Sequence, residues 1–222
     1  MAVPSSLKLI VFTLLIHLGS FYQGKSQFAF SSYYFSENVN QANRLGEKEI
    51  FPNKVGVIMA GFNYWFRLKN FRTEFYPGIQ YSHSLFPSEY KIKENGILIE
   101  TPVHFYPFDF KNDCNCPTFG KEGSLFNKGF FLKLTTMHKW NNRKFEQADS
   151  IKSSNYLFYF GLGAGLEIPI GKLWSVLPSI SYLSNTNDFI ESSKKHEFNR
   201  QGIQFGISTL YRYDYRKNYR RR

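Results

Sequence analysis

The chain is short of several things, and each shortage removes a class of protein. Only two of its 222 residues are cysteine, Cys114 and Cys116, and they stand as C-x-C. A zinc site wants C-x-x-C spacing with further cysteine or histidine. Here Asp109 and Asp113 are near but no histidine is, so a metal site would be incomplete and none is expected. After Ser26 no apolar run reaches the roughly 20 residues that a membrane-crossing helix needs, which excludes a helical membrane protein for the mature part. GLGAG, residues 161–165, falls within a strand pattern and not at a strand-to-helix turn. It is therefore no phosphate cradle, and no cofactor is implied. Acids are scarce too, 17 against 28 lysines and arginines, for a formal charge of +11.

Much of that charge has a local address. The first residues carry Lys8, an apolar stretch from Leu9 to Leu18, and small residues at Gly24 and Ser26. This is the pattern of a cleaved secretory leader over residues 1–26, with a mature start at Gln27 and a domain spanning 27–222. Setting aside Lys8 and Lys25 leaves +9, and the tail cations Arg216, Lys217, Arg220, Arg221 and Arg222 account for five more, leaving +4. A basic run of this kind can bind nucleic acid, but an exported chain does not meet it, so no nucleic-acid partner is expected. The tail reads as solvated, with anionic headgroups at a membrane face as its alternative contact.

What the sequence has in excess is aromatic residues, 19% of the chain, arranged on alternating strands. Between residues 156 and 170 every second residue is apolar: Tyr156, Phe158, Phe160, Leu162, Ala164, Leu166, Ile168, Ile170. The intervening face holds Gly161, Gly163, Gly165 and Glu167. Period-two alternation makes a strand with two unlike faces. The same pattern recurs with Ile58, Ala60, Phe62 and Tyr64; with Phe75, Ile79 and Tyr81 against Arg72, Glu74 and Gln80; with Ile97, Ile99 and Val103 against Glu100 and His104; with Phe130, Leu132 and Trp140; and with Ile203, Phe205 and Ile207. Seven strands follow, and FAFSSYYF (28–35) supplies an eighth. Pro77, Pro102, Pro169 and Pro178 oppose central strands, because each removes a ladder donor.

Connection lengths alternate as well. Tight turns are predicted at Lys69-Asn70 and Gly171-Lys172, and long polar stretches at 37–53, 86–94, 141–155 and 185–200. Short turns at one end and long loops at the other, with aromatics at both levels, are the habit of outer-membrane barrels. The long segment 109–128 breaks that habit on the short-turn side. The expected fold is all-β: an eight-stranded antiparallel up-and-down transmembrane β-barrel, apolar face to lipid, with a narrow lumen poor in apolar side chains.

The stretches ILIETPVHFY (97–106), with its Glu100 and Pro102, and FGLGAGLEIPIG (160–171) resemble the strands of the small outer-membrane β-barrel proteins of Bacteroidota, the PorT-like family. A leader ending before a glutamine is typical of it. The similarity in hairpin order covers most of 54–215; Thr101, the DCNC insertion and the Arg-rich tail depart from it. The resemblance implies an eight-stranded barrel in the outer membrane and no particular activity, since the family is functionally mixed; one branch is associated with type IX protein secretion.

The polar residues of the inner faces, Arg72, Glu74, Glu100, His104, Lys133, Glu167 and Arg212, read as a plug of paired charges, because an eight-stranded barrel is only just filled by side chains and unpaired charge there is costly. Glu100 and His104 are about 13 Å apart along a strand, too far for a base and its orienting acid, so no catalytic residue is assigned. In an oxidising compartment Cys114 and Cys116 are a candidate disulfide, although so tight a loop strains the bridge; free thiols stay open. The function expected is a non-catalytic barrel with a structural or accessory role in the envelope, its partners outer-membrane lipid and an envelope or secretion protein. Two alternatives stand beside it. One is a barrel hydrolase or acyltransferase recruiting Ser208 or Ser179 with His104, and the other is a soluble lipocalin-like binder with its apolar faces turned inward.

Overall fold

A computed structural model describes residues 27–41, 53–68, 72–88, 92–109, 129–145, 152–170, 173–185, 190–191, 194–195 and 198–211. The leader, both cysteines, Arg212 and the basic tail lie outside the described residues. Eight long strands form one sheet: β1 (Phe28–Gln41), β2 (Lys54–Tyr64), β3 (Gly78–Leu85), β4 (Ile92–Phe105), β5 (Phe130–Phe145), β6 (Lys152–Leu166), β7 (Trp174–Asn185) and β8 (Phe198–Tyr211). Short pieces extend three of them: Phe66–Arg67 after β2, Thr73–Phe75 before β3, and Ile168–Ile170 after β6. Each strand pairs antiparallel with its sequence neighbour. β1 closes on β8 through fourteen residue pairs, from Phe28↔Tyr211 to Gln41↔Phe198. The sheet has no free edge.

Register fixes the barrel's shape. From Ala29 the pairs run to Asn63, Gly78, Glu100, Met137, Tyr159 and Asn185. Extending Ser184↔Gln201 by one residue leads to Arg200, which pairs with Val39, ten residues beyond the start. Eight strands with a stagger of ten, ~3.3 Å per residue and ~4.8 Å between strands, give a tilt of about 40° and a backbone radius of roughly 8 Å.

The alternation read from the sequence settles which way each face looks. Phe62, Ile79, Ile97, Leu132, Leu162 and Ile207 are all exposed on the outside. Their neighbours in sequence point into the lumen and are buried or half-buried. Trp174 packs against Tyr211 at 4.7 Å at the short-turn end, and Trp140 against Tyr156 at 5.6 Å toward the other. From Phe130 to Trp140 on β5 is ten residues, which at this tilt spans about 25 Å, the height of the apolar band of an outer-membrane barrel.

The prolines find their places at two interruptions. Ladder pairing lapses at Tyr76–Pro77 in the third stave and at Glu167 in the sixth, yet register is continuous across both: Phe75↔Val103 and Gly78↔Glu100 belong to one series, as do Val176↔Ile168 and Ser179↔Gly165. Pro102 accepts from the Tyr76 amide at 2.9 Å, and the Glu167 amide turns to the Gly129 carbonyl at 2.8 Å. Pro102 and Pro178 thus face neighbours whose own ladders pause, where a missing donor costs least.

Two expectations need correction. The strands run well past the predicted loop boundaries, with β1 reaching Gln41, β4 starting at Ile92, β5 reaching Phe145 and β8 starting at Phe198. The lumen is also richer in apolar groups than expected. Phe35, Val57, Met59, Leu98, Met137 and Leu183 form part of one buried cluster, and Tyr106, Phe131 and Leu177 part of another. The luminal glycines make this possible. A Cβ at Gly206 would meet the Tyr33 ring, and one at Gly165 the Phe131 ring, so large side chains from facing strands occupy the room that the glycines leave.

Candidate functional site

Among the described residues the lumen holds ten buried acidic and basic side chains besides His104: Glu37, Glu74, Glu94, Glu100 and Glu167 against Arg72, Lys133, Lys139, Arg143 and Arg200. Among the described residues these buried acids and bases are equal in number, five of each sign. They sort into three levels.

At the short-turn end Arg72 joins two strand interruptions. Its Nη2 lies 2.9 Å from Glu167 Oε2 and its Nε 3.7 Å from Glu74 Oε1, and the guanidinium sits 3.8 Å over the Tyr106 ring. Glu74 Oε2 accepts from Trp65 Nε1 at 2.8 Å, Tyr76 Oη at 2.7 Å and Tyr106 Oη at 3.2 Å. Glu167 accepts from Tyr106 Oη at 3.0 Å and Ser175 Oγ at 3.0 Å. Both carboxylates are thus held by several donors, the condition under which a buried ion pair is tolerated.

At mid-height Glu100 Oε1 accepts from Asn63 Nδ2 at 2.8 Å, Tyr33 Oη at 3.4 Å and Gln80 Nε2. Lys133 Nζ lies 4.5 Å over the Tyr33 ring. Neither Lys133 Nζ nor Glu100 Oε2 has a hydrogen-bond partner among the described residues. His104 is stacked between Phe131, at 4.1 Å and 11°, and Tyr76 at 4.4 Å. Substituting both mid-level ions at once, Lys133→Met with Glu100→Gln, is expected to leave stability unchanged or raise it by about 1–2 kcal/mol, since the desolvation of both is relieved together. Lys133→Met alone is expected to destabilise, because Glu100 loses the cation of its own level. Urea titration of the barrel in lipid vesicles separates the two outcomes.

The third level, at the long-loop end, was missed from the sequence. Glu94 accepts from Arg143 Nε and Nη2 at 2.9 and 2.6 Å, from Asn141 Nδ2 at 3.0 Å and from Ser84 Oγ at 3.2 Å. Lys139 Nζ and Arg200 Nη1 stand 3.7 and 3.6 Å from its carboxylate. Arg200 also reaches Glu37 at 3.3 Å, and Tyr159 Oη donates to Glu37 at 2.5 Å. Glu37, Glu94, Arg143 and Arg200 fall within or at the border of stretches read as loops, and the available signal was their parity with the inward faces of their strands.

Of the predicted luminal set, Arg72, Glu74, Glu100, His104, Lys133 and Glu167 all point inward and are buried; Arg212 lies outside the described residues. The structure joins Arg72, Glu74 and Glu167 and keeps Glu100 and Lys133 on a separate level. A Ser208–His104 pair is not formed. Ser208 Oγ is bonded to Ser31 Oγ at 2.8 Å and lies 3.5 Å from Tyr33 Oη, and His104 Nδ1 has no hydrogen-bond partner among the described residues. Among the described residues no group of three metal-ligating side chains occurs. The lipocalin-like arrangement is overturned, since the apolar faces look outward.

No protein-family model matches the chain, and no curated protein matches it significantly. Solved structures of similar outline include neisserial surface protein A, 11% identical over 85% of this chain and 100% of that one, with a TM-score of 0.46. Others are the attachment invasion locus protein Ail of Yersinia pestis (11% identical, 85% and 99% covered, TM-score 0.39) and a major outer membrane protein from Thermus thermophilus (7%, 85% and 99%, TM-score 0.41). The assignment of a closed eight-stranded antiparallel barrel rests on its own strand register.

Proposed function

We propose that this is a non-catalytic outer-membrane β-barrel with a structural or accessory role in the envelope, exported by a cleaved leader over residues 1–26. The observation that carries the reading is the pairing of opposites across one wall. An apolar band about 25 Å high faces outward, while the five acids Glu37, Glu74, Glu94, Glu100 and Glu167 are buried inside against five cations. Such a wall is stable only with lipid on its outer side, and such a lumen is a plug. The accessory role extends to an envelope or secretion partner, with the segment around Cys114 and Cys116 and the tail from Arg216 to Arg222 as its candidate contact regions; the resemblance to the PorT-like barrels assigns no particular activity.

The plug gives a direct test. Purified protein in a planar bilayer is expected to show no steady ionic conductance above the bare membrane, because three levels of side chains close an interior of roughly 8 Å backbone radius. A stable ohmic channel overturns the plug. Outer-membrane fractionation, with faster gel migration of unboiled than boiled protein, tests the barrel itself. Recovery in the soluble periplasm without a shift overturns the membrane assignment.

A further inference from the structure

Seven polar atoms on six inward side chains have no hydrogen-bond partner among the described residues: Lys133 Nζ, Glu100 Oε2, Gln80 Oε1, Thr135 Oγ1, Ser181 Oγ, and both Nε2 and Oε1 of Gln204. None of the six is more than 3% exposed, so bulk solvent does not serve them. They come from five strands, yet they gather at one height. A stagger of ten over eight strands drops a horizontal ring about 1.25 residues per strand below the paired row, toward the short turns. Followed round the barrel from Glu100, that ring passes within about one residue of Gln80, Thr135, Ser181 and Gln204. Lys133 is the next inward residue of β5 below Thr135, and its Nζ reaches to 4.5 Å over the Tyr33 ring.

A buried donor or acceptor left unbonded carries the full cost of its desolvation, and buried polar groups nearly always meet protein or ordered water. The ring leaves space for a small guest. On four staves its residue is Gly61, Thr135, Gly161 or Ser181, each too short to cross the lumen. Apolar layers close it on both sides. Phe35, Met59, Leu98 and Met137 belong to the cluster on the loop side, and His104 lies between Phe131 and Tyr76 on the other. The chemistry of the atoms selects the guest. Lys133 Nζ and Gln204 Nε2 donate, three amide and carboxylate oxygens accept, and the two hydroxyls do either. An anion beside Lys133 would face the Glu100 carboxylate, and a cation beside Glu100 would face the ammonium. Water donates and accepts, and a buried water typically makes about three hydrogen bonds.

We propose that the lumen binds an enclosed cluster of about two to three water molecules at the height of Glu100, and that this water, not a direct contact, joins Lys133 to Glu100. The cluster bonds the two ions on one side and Thr135, Ser181 and Gln204 on the other. It is a site within the plug and rests on the closed lumen proposed above.

Water-edited solid-state NMR of the deuterated barrel in lipid vesicles tests this. Magnetisation from water is expected to reach the side-chain carbonyl carbons of Glu100 and Gln204, and not the side-chain carbons of Leu98 and Met137 in the layer above. The double variant Thr135→Val with Gln204→Leu removes three of the seven atoms at nearly constant volume. If they bond water, the variant loses those bonds: transfer to Glu100 drops and the urea midpoint falls. If the ring is dry, the same change relieves unbonded groups and the midpoint rises. A Glu100 signal without transfer, or a raised midpoint, overturns the site. So does a wild-type midpoint that climbs with chloride where the variant's does not, since that marks an anion. The gel-mobility shift of the same samples confirms that the variant has formed its barrel. Failure of the plug reads differently, as steady conductance with water reaching Leu98 and Met137 as well, and it removes the enclosure along with the plug.

Discussion

Arg72→Ala is expected to lower the stability of the barrel by about 3–5 kcal/mol, the cost of leaving buried charge without its partner. The guanidinium is the ion-pair link between Glu167, at 2.9 Å, and Glu74, at 3.7 Å, and both carboxylates are buried. Its removal also strips the cation from the face of Tyr106. The loss comes mostly from the two buried acids that lose this cation and only in part from the missing contacts. The double variant Arg72→Met with Glu167→Gln is therefore expected to recover at least half of it. Glu74 keeps its three donors Trp65, Tyr76 and Tyr106, and the glutamine keeps an acceptor for Ser175. Urea midpoints in vesicles decide the matter. A double variant weaker than Arg72→Ala would mean that packing, not charge, sets the value of this residue.

Glu94→Ala should be comparably severe and differently distributed. Glu94 is the acceptor around which Arg143, Lys139 and Arg200 converge. Without it Lys139, Arg143 and Arg200 lose the carboxylate on which they converge, and a loss of about 3–5 kcal/mol is again expected. Glu94→Gln retains an acceptor for Asn141 and Ser84 and is expected to cost less. Because an apolar cluster separates this level from the one below, the loosening should stay local. Amide exchange should accelerate at the loop ends of β4, β5 and β8 while the short-turn half keeps its protection. Uniform acceleration along every strand would show that the levels are not independent.

Which face looks outward was legible in the sequence, residue by residue, because lipid and lumen demand opposite chemistry at period two. Tyr156 to Ile170 and Ile97 to Phe105 show this most plainly. What failed to show was the length of the strands. Above the membrane both faces become polar: Asn142 and Lys144 outside, Asn141 and Arg143 inside. The contrast that marks a strand then vanishes, and the stretch reads as loop. Glu37, Glu94, Arg143 and Arg200 disappeared with it. The membership of Arg72, Glu74 and Glu167 in an inner set could be read from parity, but their meeting could not. Arg72 and Glu167 lie 95 residues apart, and only the register around the barrel brings them to one level. The prolines misled for the same reason, since their tolerance depends on interruptions in the neighbouring staves.

The seam between β1 and β8 carries a kinetic implication. Phe28 finds its partner at Tyr211 and Gln41 at Phe198, so the first strand made cannot complete its ladder until the last has emerged. Loop-closure entropy over nearly the whole chain must be met before that pairing contributes anything, and folds dominated by such distant contacts form slowly. Until then both partner edges and the entire apolar wall stand open to other chains, the state most prone to aggregation. Closure and burial in lipid therefore have to coincide. A chain cut before Phe198 should fail to insert at all, and not insert as a barrel with one stave missing.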